Sequence, residues 1–315
     1  MVNRKELKKE ITAYAKEIGF DLVGFTRAKV DQEAIKSFND WLKKEYEGEM
    51  SYMQKEKPRE DLNFLLDGAR TVISLAVNYY REQELLSPGC GRVARYAYGR
   101  DYHKIISKKL KLLRKFIQEK IENSDIKGYV DTGPVLERAL AEQAGLGVIG
   151  KNSCLITKEY GSWVFLAEII TTLDLVDDNF TAPAPFAECG PCTLCMKMCP
   201  TQAIIAPGVI DARRCLSYLT IENKGEIPEE FRKKIKETKR VYGCDICQEV
   251  CPQNKKHQKQ TAAEEFLGPM FAGDELNSAQ ISNIKTDEQF LEKFAGSPVM
   301  RAKRIGLQRN LDCLD

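Results

Sequence analysis

Histidine is scarce in this chain of 315 residues: His103 and His257 are its only two, and tryptophan also occurs just twice. Neither histidine stands beside a second imidazole or in a cysteine–histidine pair, which speaks against a histidine zinc site and a histidine general base. His103 reads as a helix residue and His257 as a solvated member of a basic stretch. Acid–base chemistry is then left to carboxylates, tyrosines or lysines. Long apolar runs are missing too. The longest, residues 72–80 and 163–170, fall well short of the roughly 20 residues that cross a bilayer. Residues 1–10 are strongly charged with no apolar stretch behind them, so no export signal is read there. The expectation is a cytoplasmic protein with no membrane partner. The net charge, +2, argues neither for nor against a polyanionic partner.

Cysteine breaks this pattern of scarcity. The chain has eleven, and eight fall between Cys189 and Cys251. In a reducing compartment disulfides are disfavoured, so a dense run points to metal. The first run is Cys189-x-x-Cys192-x-x-Cys195-x-x-x-Cys199-Pro200. In this two-cluster ferredoxin spacing, three cysteines grip one four-iron cluster and the fourth reaches to another. The second run, Cys244-x-x-Cys247-x-x-x-Cys251-Pro252, has three, and Cys215 between the runs can supply the missing ligand. The assignment is Cys189, Cys192, Cys195 and Cys251 for one cluster, and Cys199, Cys215, Cys244 and Cys247 for the other. Structural zinc prefers separated pairs of ligands, which three closely spaced cysteines and a twice-repeated Cys-Pro fit poorly. Cys90, Cys154 and Cys313 read as small apolar residues.

Around the cysteines the chain alternates helix and strand patterns. Helical apolar spacing covers 5–18 (Leu7, Ile11, Tyr14, Ile18) and 101–123 (Ile105, Leu112, Phe116 and Ile117 as buried-face candidates). A further helix is expected at 134–144, and helix with loop at 41–52. Strands are expected at 21–26, 70–80 and 162–170. The prolines of residues 182–186 mark a boundary. The expected organisation is an α+β protein with domains at 1–180, 181–260 and 261–315, the last short and helical.

Two motifs need weighing. Gly145-Leu146-Gly147-Val148-Ile149-Gly150 matches G-x-G-x-x-G, but a helix precedes it and an extended segment follows. A dinucleotide fingerprint needs the reverse order, so a nucleotide site is rejected. Asp131-Thr132-Gly133-Pro134 precedes an expected helix, and spacing alone favours Asp131 or Thr132 as its N-cap. The helix dipole would also depress the aspartate's pKa, against a role as proton donor.

With these residues in view, the chain resembles the epoxyqueuosine reductases of transfer-RNA modification along nearly its whole length. The resemblance rests on Gly99-Arg100-Asp101-Tyr102-His103, Val130-Asp131-Thr132-Gly133, Ala144-Gly145-Leu146-Gly147, Gly150-Lys151-Asn152 and Tyr160-Gly161-Ser162 through Glu168. It continues in Arg213-Arg214-Cys215-Leu216-Ser217-Tyr218-Leu219-Thr220 and Tyr242-Gly243-Cys244-Asp245-x-Cys247-Gln248. It implies a nitroreductase-like, cobalamin-binding catalytic domain fused to a two-cluster ferredoxin-like module. It also implies reduction of epoxyqueuosine to queuosine in tRNA, with an external low-potential electron donor. Asp131 falls where the family keeps its proposed proton donor, which reverses the capping preference. A corrin ring over Asp131 would exclude water and raise its pKa. Arg59, Ala94, Leu155, Leu166, Ser217 and Asp245 fall at positions that line cobalamin in the family. Many members continue into a helical-repeat tail beyond the point matching Asp315. Without it, tRNA contact is expected from Arg232-Lys233-Lys234, Lys236, Lys239-Arg240 and Lys255-Lys256, and from Arg301, Lys303, Arg304 and Arg309. The alternatives are a reductive dehalogenase-like enzyme with the same cofactors, or a ferredoxin-type electron carrier.

Overall fold

The structure is a computed structural model that describes residues 3–177, 189–267 and 272–314. Four antiparallel strands form the main sheet, in the spatial order Leu22–Arg27, Thr71–Asn78, Val164–Thr171, Ile126–Tyr129. Every residue of Thr71–Asn78 is buried, because helices cover both faces of the sheet. Successive side chains of a strand point to opposite faces. Ile73, Leu75, Ala167 and Ile169 therefore meet the helices Arg4–Glu17 and Tyr102–Lys120 through Ile11, Ile106 and Leu113. Val72 and Ile170 lie on the opposite face with Leu140, from the helix Glu137–Gln143. Complete burial of each such aliphatic side chain contributes about 1.5–3 kcal/mol.

Sequence expectation and structure differ at instructive points. Leu112 is 48% exposed and is not a buried-face residue; Leu110 and Leu113 take that place. The helix Gln32–Lys43 was anticipated only at its C-terminal end, from residue 41; none of its residues is buried, and Ala34 and Ile35 pack partly buried against the core. The helix expected at 134–144 starts at Glu137, with Leu136 as an N-cap that makes no side-chain capping bond. Neither Asp131 nor Thr132 caps it. The boundary read at residues 182–186 lies outside the described residues.

In the second half the short helices Leu194–Met198 and Ile246–Glu249 pack together and carry cysteines from both runs. A second sheet crosses the sequence. Cys90–Val93 is its middle strand, parallel to Arg240–Tyr242 and antiparallel to Glu275–Asn277. Val93 and Ala97 share one core with Leu216, Val241, Tyr242, Phe294 and Leu307. Asn310, fully buried, locks the C-terminal helix Lys303–Leu311 by donating to the carbonyls of Thr220 (2.7 Å) and Val241 (2.9 Å). The chain is thus α+β, with first and last segments interleaved.

Candidate active site

Mutual charge marks two neighbourhoods of cysteines, one of Cys189, Cys192, Cys195 and Cys251 and one of Cys199, Cys215, Cys244 and Cys247 with Cys154 beside it. Burial raises the Cys195 thiol, and the charges of Cys189, Cys251 and Cys192 add to the effect. Cys251 is likewise raised by burial and then by Cys189 and Cys192. In the second group burial pushes Cys244 up to about 12, with Cys215 contributing. Burial also raises Cys215, with Cys199 as a charged neighbour, and Cys247 feels both Cys244 and Cys215. Thiols crowded in this way stay protonated unless cations neutralise them, which iron supplies.

One loop touches both groups. Lys151 donates from its backbone to Cys189 Sγ (3.4 Å) and from Nζ to the carbonyls of Gly190 (2.6 Å) and Cys192 (2.9 Å). Asn152 Nδ2 reaches the carbonyl of Cys247 at 3.4 Å. The loop belongs to a small hairpin of Val148–Ile149 with Leu155–Ile156, so the glycine motif serves a turn rather than a nucleotide. A Cβ on Gly147 would stand 2.3 Å from the Ile156 carbonyl oxygen, so only glycine allows this approach. Lys151 and Asn152 were not singled out from the sequence, although they stand in the matched Gly-Lys-Asn block. Cys154 also proves more than a filler, because its Sγ neighbours Cys247 and Gln248.

Beside the second group opens a pocket of about 270 Å³, lined by Tyr79, Ala94, Tyr96, Tyr102, Ser217, Cys244 and Asp245 among others. Asp245 is buried and committed to Arg95, accepting from its backbone at 2.8 Å and its guanidinium at 3.3 Å. Arg95 also bonds Glu249 (2.6 Å) and lies over the Trp163 ring, which fixes the second cysteine run against the main sheet. Of the remaining residues expected at a cofactor, Leu155 is buried and Leu166 packs beside it beneath the helix Glu137–Gln143. Arg59 is 4% exposed, bonds the Lys55 carbonyl, and keeps a buried Nε with no partner.

Tyr102 joins this pocket to Asp131. Its hydroxyl donates to Asp131 Oδ2 at 2.7 Å, and His103 Nε2 lies 3.1 Å from the same oxygen. His103 Nδ1 is 2.7 Å from Asp101 Oδ1. Burial works against charge on His103, but the bonds to Asp101 and Asp131 outweigh it and raise its pKa to about 9. Burial works against charge on Asp131 too. The His103 and Tyr102 bonds and the charges of His103 and Arg301 win, and hold its carboxyl below the ordinary range. The imidazole dismissed on sequence grounds is therefore the main electrostatic partner of Asp131. Its adjacency depends on a helix meeting a loop 28 residues away, which no local pattern displays.

Two neighbourhoods of cysteines, one beside a pocket whose Tyr102 bonds a charged aspartate–histidine pair, mark an iron–sulfur redox enzyme. Comparison with known proteins narrows the class. Residues 59–132 match the family model "Epoxyqueuosine reductase QueG, DUF1730", and residues 188–254 match "4Fe-4S double cluster binding domain". An epoxyqueuosine reductase of Gloeobacter violaceus is 43% identical over 305 residues, covering 96% of this chain and 93% of the relative. An epoxyqueuosine reductase solved with an epoxyqueuosine-modified tRNA-Tyr stem loop superposes with a TM-score of 0.87 at 34% identity, covering 99% of this chain and 81% of that one. The Bacillus subtilis enzyme, solved with its catalytic aspartate loop swung out of the active site, gives 0.86 at 33%, covering 99% and 82%. The chain belongs to the epoxyqueuosine reductase family.

Proposed function

We propose that this chain reduces the epoxide of epoxyqueuosine to the alkene of queuosine at the wobble position of tRNA, using cobalamin and two 4Fe-4S clusters. One observation carries the reading: Tyr102, which bonds Asp131, and Cys244, of the second sulfur group, line the same pocket. Cys189, Cys192, Cys195 and Cys251 would hold the outer cluster. Cys199, Cys215, Cys244 and Cys247 would hold the one beside the pocket, so electrons from an external low-potential donor arrive there in series.

The residues present fit cobalamin. Ala94, Ser217 and Asp245 line the pocket beside Cys244, whereas Arg59, with a buried and unpartnered Nε, stands outside that lining. Leu155 and Leu166 would contribute shape through packing. When bound, cobalamin supplies an electron-rich cobalt centre and the hard redox chemistry. The rest falls to this chain. Epoxide, two electrons and two protons give alkene and water, so a proton must reach the departing oxygen. Asp131 rests ionised, so it would first take a proton from His103 Nε2, 3.1 Å away, and pass it to that oxygen, while solvent supplies the second proton. Support for tRNA as substrate comes from the stem loop seen in the relative and from the basic stretches at 232–240 and 301–304.

The test is single-turnover conversion of epoxyqueuosine-containing tRNA, read by mass spectrometry of nucleosides, with iron, sulfide and cobalamin quantified in the same sample. Queuosine should form in stoichiometric amount; fully loaded protein that forms none would sink the proposal. Both His103 nitrogens are engaged with carboxylates. The cob(II)alamin complex should therefore show no superhyperfine splitting from a His103 nitrogen in its electron paramagnetic resonance spectrum.

A further inference from the structure

Behind Asp131 lies a second acid pair, Glu168 buried and Glu137 half-buried, that the reaction as described does not use. Glu168 stands in the strand Val164–Thr171, cross-strand neighbour of Ser74 and Tyr129. It is 0% exposed, and neither carboxyl oxygen has a conventional donor. Its side chain instead meets that of Glu137, at the start of the helix Glu137–Gln143. Two carboxylates can only accept hydrogen bonds, so two carboxyl groups in contact must hold a proton between them. Glu137 has a second engagement. Its Oε1 accepts from the Asp131 backbone N–H at 2.6 Å, while Asp131 sits at φ 52°, the left-handed region that a non-glycine residue avoids. Glu137 is thus the side chain that holds the strained backbone of this loop, while Tyr102 and His103 hold the Asp131 carboxylate.

We propose that Glu137 latches the Asp131 loop in the active site and that the proton shared with Glu168 sets the latch. With the proton in place, Glu137 stays between Glu168 and the Asp131 amide. Without it, two neighbouring carboxylates repel, Glu137 leaves the amide, and the loop relaxes outward. The swung-out loop of the Bacillus subtilis relative shows that a second position exists in this family. The charged or titratable groups facing the pair are Asp131, Arg138, Arg59 and Tyr102, with His103 one residue pair further away on Asp131. Burial, followed by the charge of Asp131, raises Glu137 to about 8. Burial and Glu137 raise Glu168 further. Glu137 gives up its proton first, at about 8, and the remaining proton is then shared with Glu168, so the latch is complete at neutral pH and lost only on the alkaline side of that step. Glu137 and Glu168 are positioning residues, and their importance for turnover rests on the function proposed above.

Backbone amide exchange tests the latch without substrate, so its outcome is separate from that of the proposed reaction. Exchange across residues 130–136 of the cluster-loaded protein would be followed from neutral to alkaline pH, with intrinsic base catalysis divided out. Wild-type protection at Asp131 should fall about tenfold or more as the pair deprotonates. Glu168→Gln cannot ionise and should abolish that step. Glu137→Ala should lose protection at every pH, whereas Glu137→Gln, which keeps an acceptor, should retain it without a pH step. Iron content and thermal midpoint identify any variant that has failed to fold, and either glutamine variant suffices. Flat wild-type protection would overturn the proposal. So would a Glu168→Gln step matching wild type, because the step would then belong to His103.

Discussion

His103 Nε2 stands 3.1 Å from Asp131 Oδ2, and each residue moves the other's pKa towards charge. The resting site therefore holds an imidazolium–carboxylate pair, with the proton on nitrogen. The folded pKa of His103 is raised, so its contribution is fully present below the ordinary histidine value and is lost as pH rises through about 9. Single-turnover rates should fall along that alkaline limb. His103→Gln should lower the rate by roughly ten- to a hundredfold and remove the limb assigned to this pair. A variant with the wild-type rate and profile would show that Asp131 draws its proton elsewhere.

Asp131→Asn separates chemistry from conformation. Asparagine tolerates the left-handed backbone found here, and its carbonyl can still accept from Tyr102. Cluster content, cobalamin affinity and stability should stay near wild type. Turnover should fall by roughly two to four orders of magnitude, because the amide has no acidic proton. A wild-type single-turnover rate would remove Asp131 from the role of acid.

Cysteine replacements should divide by group. Cys215→Ala should reduce iron from about eight to about four per chain and leave the outer cluster's spectrum intact. Cys154→Ser should keep all eight, although it perturbs the neighbour of Cys247. Loss of the whole iron content in Cys154→Ser would make this cysteine a ligand and require a new assignment.

The basic stretches are less uniform than their sequence suggests. Arg309 is a structural residue, donating to the carbonyls of Leu219 and Asn223 (both 2.9 Å) and of Gly225. Arg301 pairs with Glu222 and Arg304 with Asp287. Arg232, Lys233 and Lys234 pair with helix acids at exposed positions, where such pairs exchange readily for phosphate. Neutralising Lys233 and Lys234 should flatten the dependence of log affinity for tRNA on log salt by about 0.7–0.9 per lost phosphate contact. An unchanged slope would place the RNA on another face.

Legibility followed the range of the interactions. A double-cluster domain was readable because cysteine spacing is local chemistry, and Cys215 was drawn in as a candidate for a missing fourth sulfur. The main strands and the helix Tyr102–Lys120 were readable from apolar periodicity, within a few residues at each end. Asp131 emerged from a family resemblance, while local spacing favoured a cap that the structure lacks. His103, Glu137 and Glu168 were not legible as a group. They come from two helix starts and a strand, and only tertiary packing gathers them around Asp131. Leu112 was misplaced because an amphipathic stripe is broad enough to admit an edge residue.

The strand Cys90–Val93 has a consequence for how the protein is made. Both of its hydrogen-bonding partners lie far downstream, at Arg240–Tyr242 and Glu275–Asn277. While a ribosome lengthens the chain between those points, this segment has two open backbone edges and no partner for either, the state most prone to pairing with a foreign strand. The same interval delivers the metal-binding cysteines. Iron–sulfur delivery and closure of the sheet therefore compete for one window of synthesis, and cells starved of iron should accumulate this protein as aggregate rather than as folded apoenzyme.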